Sequence, residues 1–214
     1  EKLIDDGVFL FISSSELYSG LNKSFLNEKD IGATTPLHPR ASYIEGKRMG
    51  ETIVNIMRSN GVNANSARVS LAYGPGTKKH DSRALNSFIE KALTQKKIEM
   101  LDTGHAIRTY CYVSDIVEIL WHILLYGKEP VYNVGGKSII SIAELAQKIG
   151  SILNVPVTIP KSDTEISGSP KTVRMDLNKM ESEFGKTEFV SMKKGLKATI
   201  KWQKFLYNNY SETN

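Results

Sequence analysis

An α/β fold built on a parallel sheet is what this sequence predicts, and three observations carry the prediction. Short apolar runs of strand length alternate with stretches of helical period along most of the chain. The run 8–12 ends directly in Ser13-Ser14-Ser15, as a buried parallel strand does when its C-terminal end opens into a site. Glycine turns, at Asn60-Gly61, Tyr73-Gly74-Pro75-Gly76 and Gly135-Gly136, punctuate the boundaries between elements.

Taken in order, residues 1–6 read as the tail of a helix, and Val8-Phe9-Leu10-Phe11-Ile12 as the first strand. Residues 22–40 are polar and turn-rich, with Pro36 and Pro39, and read as a loop. From 41 to about 60, Ile44, Ile53, Val54 and Met57 give a helix its apolar stripe, and Asn60-Gly61 closes it. A strand is expected over 63–71, a helix over 83–94 and a short strand near 98–101. Residues 109–113 alternate as a strand, after which Ser114 or Asp115 is expected to cap a helix running to Tyr126. Residues 130–134 form another strand, ended by Gly135-Gly136. Ser141-Ile142-Ala143-Glu144 is a capping box, Ser at the cap and Glu three on, that opens a helix to Leu153. Asp176 caps a helix to Phe184-Gly185, and 196–207 is a last amphipathic helix.

Composition narrows the function classes. A chain of 214 residues with 40% hydrophobic content suits one large domain, or one domain with a smaller lobe. No apolar run reaches the ~18 residues of a membrane span. The start, Glu1-Lys2-Leu3-Ile4-Asp5-Asp6, lacks the basic-then-apolar order of a secretory signal. A single cysteine, Cys111, excludes an internal disulfide and a cysteine-rich zinc centre. These features lead us to expect a cytoplasmic protein with no metal and no membrane partner. The net charge of +5 is mild, and the pairs Lys78-Lys79, Lys96-Lys97 and Lys193-Lys194 read as solvated faces. Without interleaved basic and aromatic residues, nucleic acid is not expected as a partner.

The chemistry-bearing pattern lies near the first strand. Tyr43 and Lys47 stand four apart on a predicted helix, hence on one face and one turn from each other. A phenol is a poor base at neutral pH, and an ammonium about 4–6 Å away stabilises its anion, making an acid/base pair. A serine hydroxyl at a neighbouring strand end could hold a substrate oxygen beside the phenol, and Ser14 sits at such an end. By itself the spacing also describes an amphipathic surface pair.

The collinear order is more specific than the spacing. Phe11-Ile12-Ser13-Ser14-Ser15-Glu16-Leu17-Tyr18 resembles the strand and serine turn of the extended short-chain dehydrogenase/reductases, the NAD-dependent epimerase/dehydratase family. Pro39-Arg40-Ala41-Ser42-Tyr43-Ile44-Glu45-Gly46-Lys47-Arg48 resembles their catalytic helix, most closely that of UDP-glucuronate decarboxylases. Similarity continues through Ala67-Arg68-Val69, Tyr73-Gly74-Pro75, Arg108-Thr109-Tyr110-Cys111-Tyr112-Val113-Ser114-Asp115, Tyr132-Asn133-Val134-Gly135, Ser141-Ile142-Ala143-Glu144-Leu145-Ala146 and Arg174-Met175-Asp176.

The resemblance implies the second half of a doubly wound, Rossmann-type parallel sheet with a smaller C-terminal α/β substrate-binding lobe. It assigns 1–74 and 107–135 to the NAD-binding domain and 75–106 and 136–214 to the lobe. It makes Tyr43 the catalytic base, Lys47 the partner that tunes it and binds nicotinamide ribose, and Ser14 the catalytic hydroxyl. Ser13 falls on the cofactor side, although as a residue it reads equally as a strand-end hydroxyl without a task. Ser15, Arg108 and Arg174 are implied to face substrate, the arginines toward a diphosphate. Glu16 stands where dehydratases and decarboxylases carry an acidic residue that moves a proton next to a transient ketone. Ser15, rather than Asp, before that Glu matches decarboxylases. The implied cofactor is NAD, the partner a nucleotide sugar, and the assembly a homodimer formed through the Tyr43 helix.

Three departures accompany this likeness. Leu71 stands where relatives have a substrate-bonding Asn, and leucine has no polar atom to replace it. Ser19 separates Tyr18 from Gly20. The Gly-x-x-Gly-x-x-Gly turn that cradles a dinucleotide pyrophosphate is absent from the sequence. The chain is therefore expected to be the C-terminal two-thirds of a longer enzyme that, alone, binds dinucleotide poorly. A 4-epimerase or 4,6-dehydratase, and a non-catalytic fragment or pseudoenzyme with a dimerisation role, remain alternatives to a decarboxylase.

Overall fold

The structure, a computed structural model, describes residues 7–23, 25–162 and 172–209. The helix tail expected over 1–6 lies outside the described residues. The fold is α/β with parallel sheets. Strand β1 (Val8–Ser14) pairs in parallel with β2 (Asn63–Val69), from Val8 opposite Asn63 to Ser14 opposite Val69. β2 in turn pairs in parallel with β6 (Val131–Val134). A parallel pair needs a long crossover, and between β1 and β2 helix α1 (Ala41–Ser59) supplies it.

The strand expected over 63–71 divides. At Ser70 the backbone N–H still donates to the Val134 carbonyl, 2.8 Å away, but the next residues leave the first sheet. Leu71–Tyr73 become β3, which pairs in parallel with β5 (Ile107–Tyr112). β5 then pairs antiparallel with β7 (Ser138–Ser141). A short parallel pair, β4 (Ile98–Glu99) and β8 (Val157–Thr158), completes the strands.

Two hydrophobic cores follow this division. Tyr18, Leu26, Ala67, Ile119, Ile123, Tyr132, Val134, Met175 and Met180 bury one, around the β1-β2-β6 sheet and α3 (Val113–Tyr126). Helices α2 (Ala84–Gln95), α4 (Ile142–Leu153) and α6 (Met192–Asn209) enclose the other with Tyr73, Ile89, Ile98, Tyr110, Leu145, Ile149, Leu196 and Ile200. Each such aliphatic side chain, fully buried, contributes about 1.5–3 kcal/mol of transfer free energy. The short helix α5 (Asn178–Phe184) adds Met180 to the first core.

Local signals set several boundaries. Ser141 and Glu144 make the reciprocal capping box at α4; at α5 the cap position falls to Leu177 rather than Asp176, whose carboxylate accepts from the Asn178 N–H at 2.9 Å from one residue ahead of it. The cap expected at Ser114 or Asp115 is not there. The third helix starts directly after β5 at Val113, with Tyr112 at the cap and no side-chain bond. Asp115 lies inside the helix, buried, and accepts from the Val190 N–H (2.9 Å) and Lys186 Nζ (3.1 Å). A distant segment thus claims the carboxylate that local pattern assigned to the helix end. Strands β7 and β8 have too few residues to show an alternation in sequence.

Among the described residues, no helix is long and apolar enough to cross a membrane, and no group of metal-ligating side chains is present.

Candidate active site

β1 delivers the serine turn. Past Ser14 the chain tightens into a 3-10 turn, Ser15–Tyr18, because the Ser14 hydroxyl accepts from the Glu16 N–H at 3.2 Å. Ser14 and Ser15 are almost wholly buried. Glu16 projects far enough to be gripped by Arg40, whose Nε and Nη2 each donate to one carboxylate oxygen at 2.5 Å. Sequence reasoning did not foresee this fork. Arg40 closes the loop just before α1, so the bond ties that loop to the strand end.

α1 brings the other half. Its axis lies close to β1, since a Cβ at Gly50 would run into the Phe11 ring. Lys47 reaches the strand, its Nζ donating to the Ile12 carbonyl at 2.7 Å and lying 5.7 Å from the Tyr43 ring centroid. The Arg40 guanidinium sits 5.3 Å from the same centroid. Two cations therefore flank the Tyr43 ring. The Tyr43 side chain is 42% exposed, so a substrate can reach it. Ser14, Glu16, Arg40, Tyr43 and Lys47 thus form one linked series around the end of β1.

The remaining predicted residues are placed differently. Arg108, on β5, is half-buried and donates through Nη1 to its neighbour's carbonyl, Ile107 O, at 2.8 Å. Burial holds its pKa below the usual arginine value, while Tyr110, Glu16 and Asp102 favour its charge. The Glu16 contribution puts Arg108 within electrostatic reach of the serine turn. Arg174 is tied to the loop through its backbone, its carbonyl accepting from Leu26 N–H at 2.9 Å. Its Nε is buried with no hydrogen-bond partner among the described residues. Leu71 packs against the core around α2, α4 and α6.

Ser13 faces elsewhere. Its hydroxyl donates to Glu51 Oε1 at 2.6 Å, and that carboxylate takes a two-pronged bond from Arg68 on β2, at 2.9 and 2.8 Å. Arg68 also donates to Tyr18 OH (3.0 Å) and to the carbonyls of Glu28 and Asp30. Tyr18 OH donates on to Asn133 Oδ1 at 2.6 Å. Arg68, Tyr18 and Asn133 are buried to 2%, 1% and 0% exposure. Burial pushes the Tyr18 hydroxyl up to about 12, with Arg68 opposing. Burial also works against the Arg68 charge, but Glu51 and Tyr18 outweigh it and hold the guanidinium above its ordinary value. This network, absent from the sequence reading, pins α1, β1, β2, β6 and the 3-10 turn to one another. A signal for it existed. An arginine inside the buried strand Ala64–Val69 must have a partner, and Glu51 continues the Tyr43-Lys47 face one turn on.

Known proteins give the arrangement its context. The profile of the NAD dependent epimerase/dehydratase family matches residues 3–135. The chain is 29% identical over 188 residues to UDP-glucuronic acid decarboxylase 6 of Arabidopsis thaliana, covering 87% of this chain and 54% of the relative. It is 30% identical over 199 residues to the dTDP-4-dehydro-6-deoxy-D-allose reductase of Streptomyces bikiniensis, covering 92% and 60%. Among solved structures, UDP-glucuronic acid 4-epimerase from Bacillus cereus, in complex with UDP-glucuronic acid and NAD, superposes with a TM-score of 0.79. That likeness, at 24% identity over 93% of this chain and 62% of the other, speaks to the fold. The chain spans about half the length of the curated relatives it matches.

Proposed function

The chain belongs to the NAD dependent epimerase/dehydratase family, and from that premise we propose that it carries the catalytic residues of a nucleotide-sugar enzyme working through transient oxidation at carbon 4, most like a UDP-glucuronate decarboxylase. The observation that carries this reading is the linked series Ser14, Glu16, Arg40, Tyr43 and Lys47 at the end of β1.

Each residue then has a task. Ser14 holds the carbon-4 oxygen beside Tyr43. Tyr43, flanked by Arg40 and Lys47, takes the hydroxyl proton and later returns it. NAD, when bound, would supply the acceptor and donor of the carbon-4 hydride, so no net redox change results. With a ketone at carbon 4, the carboxylate on carbon 5 leaves as carbon dioxide, and its bonding electrons pass into the ketone as an enolate. Glu16, oriented by Arg40, serves the proton transfer at that neighbouring carbon. Arg108 supports a diphosphate near the serine turn, and Arg174 offers a second cation. Ser15 lines the substrate side.

The residues present fit the nicotinamide end of the cofactor. Lys47 spends one of its three protons on Ile12 and keeps two for ribose hydroxyls. Ser13, whose hydroxyl is engaged by Glu51, would meet the cofactor through its backbone. No glycine fingerprint for the pyrophosphate occurs in this sequence, so that part of the grip is not assigned to these residues.

Relatives named as UDP-glucuronic acid decarboxylases support the choice of reaction, as does Ser15 before Glu16. Leu71, lodged against the core, supports a second reading, an epimerase or dehydratase whose sugar is held without that polar contact. The test supplies the full-length protein and NAD with UDP-glucuronate and follows carbon dioxide and UDP-xylose. Formation of both, and their loss in Tyr43→Phe, is the expected result. An epimer or a 4-keto-6-deoxy product from another sugar nucleotide would move the assignment to the second reading. Binding of NAD with no turnover of any sugar nucleotide would leave a pseudoenzyme. A homodimer is part of the proposal, because Met49, Ile53 and Ile56 stand exposed on α1; a monomeric mass by light scattering would remove it.

A further inference from the structure

Helix α6 holds the chain's entire excess of positive charge. It contains Lys193, Lys194, Lys197, Lys201 and Lys204 and no acidic residue. Setting those five aside from the chain's 28 basic residues leaves 23, equal to the 23 acidic ones. At about 100° of rotation per residue, the five ammonium stems fall within an arc of about 100° on one side of the helix. All five are exposed, and none makes an ion pair or hydrogen bond with a carboxylate among the described residues.

The opposite side of α6 is fixed in place. Leu196, Thr199, Ile200 and Gln203 are buried, Gly195 abuts the Tyr73 ring, and Gln203 Nε2 donates to Asn86 on α2 at 3.0 Å. The lysine stripe is therefore a rigid row about 16 Å long, not a pliable tail. Phe205 stands 52% exposed on its flank, with its ring 6.2 Å from that of Trp202. Lys79, from the loop after β3, adds a cation 5.5 Å from the Tyr207 ring at the C-terminal end of the same helix.

From this we propose that the outer face of α6 docks the protein side-on against an anionic lipid surface. Such a row has little reason to persist as solvated decoration on an otherwise neutral chain, because unpaired like charges at successive turns repel. It consists of lysines, compact point charges suited to a field of headgroup phosphates. The planar forks of arginine, which nucleic-acid recognition favours, are missing from it. The flanking Phe205 presents an aromatic ring at the level where such rings settle in the interface. The helix does not insert, since its apolar face is already committed to the core. Attraction is electrostatic, falls off within a Debye length and reverses readily.

The test is co-sedimentation of the full-length protein with vesicles of phosphatidylcholine alone or with about one-third phosphatidylserine, near physiological ionic strength. We expect binding only to the anionic vesicles and its loss near 1 M salt. Each lysine near the surface is worth about fivefold in partitioning, so Lys197→Glu/Lys201→Glu should weaken binding at least about 25-fold. Lys29→Glu/Lys128→Glu, which changes net charge equally on exposed positions elsewhere, should leave it nearly intact. Equal binding to neutral vesicles, equal loss in both double variants, or no vesicle binding alongside tight, salt-sensitive binding to duplex DNA would each overturn the proposal.

Discussion

Replacing Glu51 by Met tests whether the buried network is what fixes helix α1. The substitution removes three bonds at once: both Arg68 prongs, and the acceptor of the Ser13 hydroxyl. The side chains of Arg68 and Glu51 are only 3% and 10% exposed, so water cannot replace the lost carboxylate. Stranding one partner of such a pair costs about 3–5 kcal/mol. With a urea slope of about 2 kcal/mol per molar, the unfolding midpoint should fall by about 1.5–2.5 M. Adding Arg68→Met should return part of that, because the unpaired charge goes as well. We expect the double variant to lose at least about 1 kcal/mol less than the sum of the singles. Urea titration followed by circular dichroism reads both numbers. A Glu51→Met loss below about 1 kcal/mol, or strict additivity, would refute the reasoning, since either means that Arg68 does not depend on Glu51 for its burial.

Other consequences follow from the same geometry. Burial, the largest influence in each case, pushes the Cys111 thiol and the Tyr18 and Tyr110 hydroxyls up to about 12. Folded-state values raised in this way mean stability that is full at neutral pH and lost as pH rises from the unfolded thiol's value near 9.0 toward 12. Urea midpoints should hold from pH 7 to about 8.5 and decline steadily above it; a flat profile to pH 11 would contradict this. Gly50→Ala puts a methyl group into the Phe11 ring and forces α1 away from β1. We expect a loss of about 1–3 kcal/mol and a fall in turnover larger than in Gly150→Ala, which drives a methyl group into Val157 between α4 and β8 at a similar cost in stability. Equal turnover in the two would argue that the helix-to-strand spacing does not matter. Gly195→Ala drives a methyl group against the buried Tyr73 hydroxyl. It should lower thermal stability by a few degrees, and an unchanged melting temperature would show that α6 has room to shift.

Much of this molecule is legible one segment at a time. The strand 8–12, the α1 stripe with its closing Asn60-Gly61 and the α4 capping box all rest on residues two to four positions apart, and each lies where the sequence puts it. The proposed catalytic set was legible for the same reason. Tyr43 and Lys47 share a face by helical period, and Ser14 ends an apolar strand. The misses share a different character. The Asp115 carboxylate serves Lys186 and the Val190 N–H, some 70 residues away along the chain. Ser70 marks the passage between sheets, a change that only the β6 partner strand reveals.

By itself, then, the sequence determined the element types, the order of strand, serine turn and Tyr43 helix, and the family, because hydrophobic periodicity and motif order are written locally. Tertiary structure alone decided what holds those pieces in register. Arg40 closes on Glu16 across 24 residues, and Tyr18 reaches Asn133 across 115. It also decided that five lysines scattered through one segment of text become a single exposed face. The physical reason is that a charge or hydroxyl removed from water takes whichever complementary group the packing brings within about 3 Å, and distance along the chain says nothing about which one that will be.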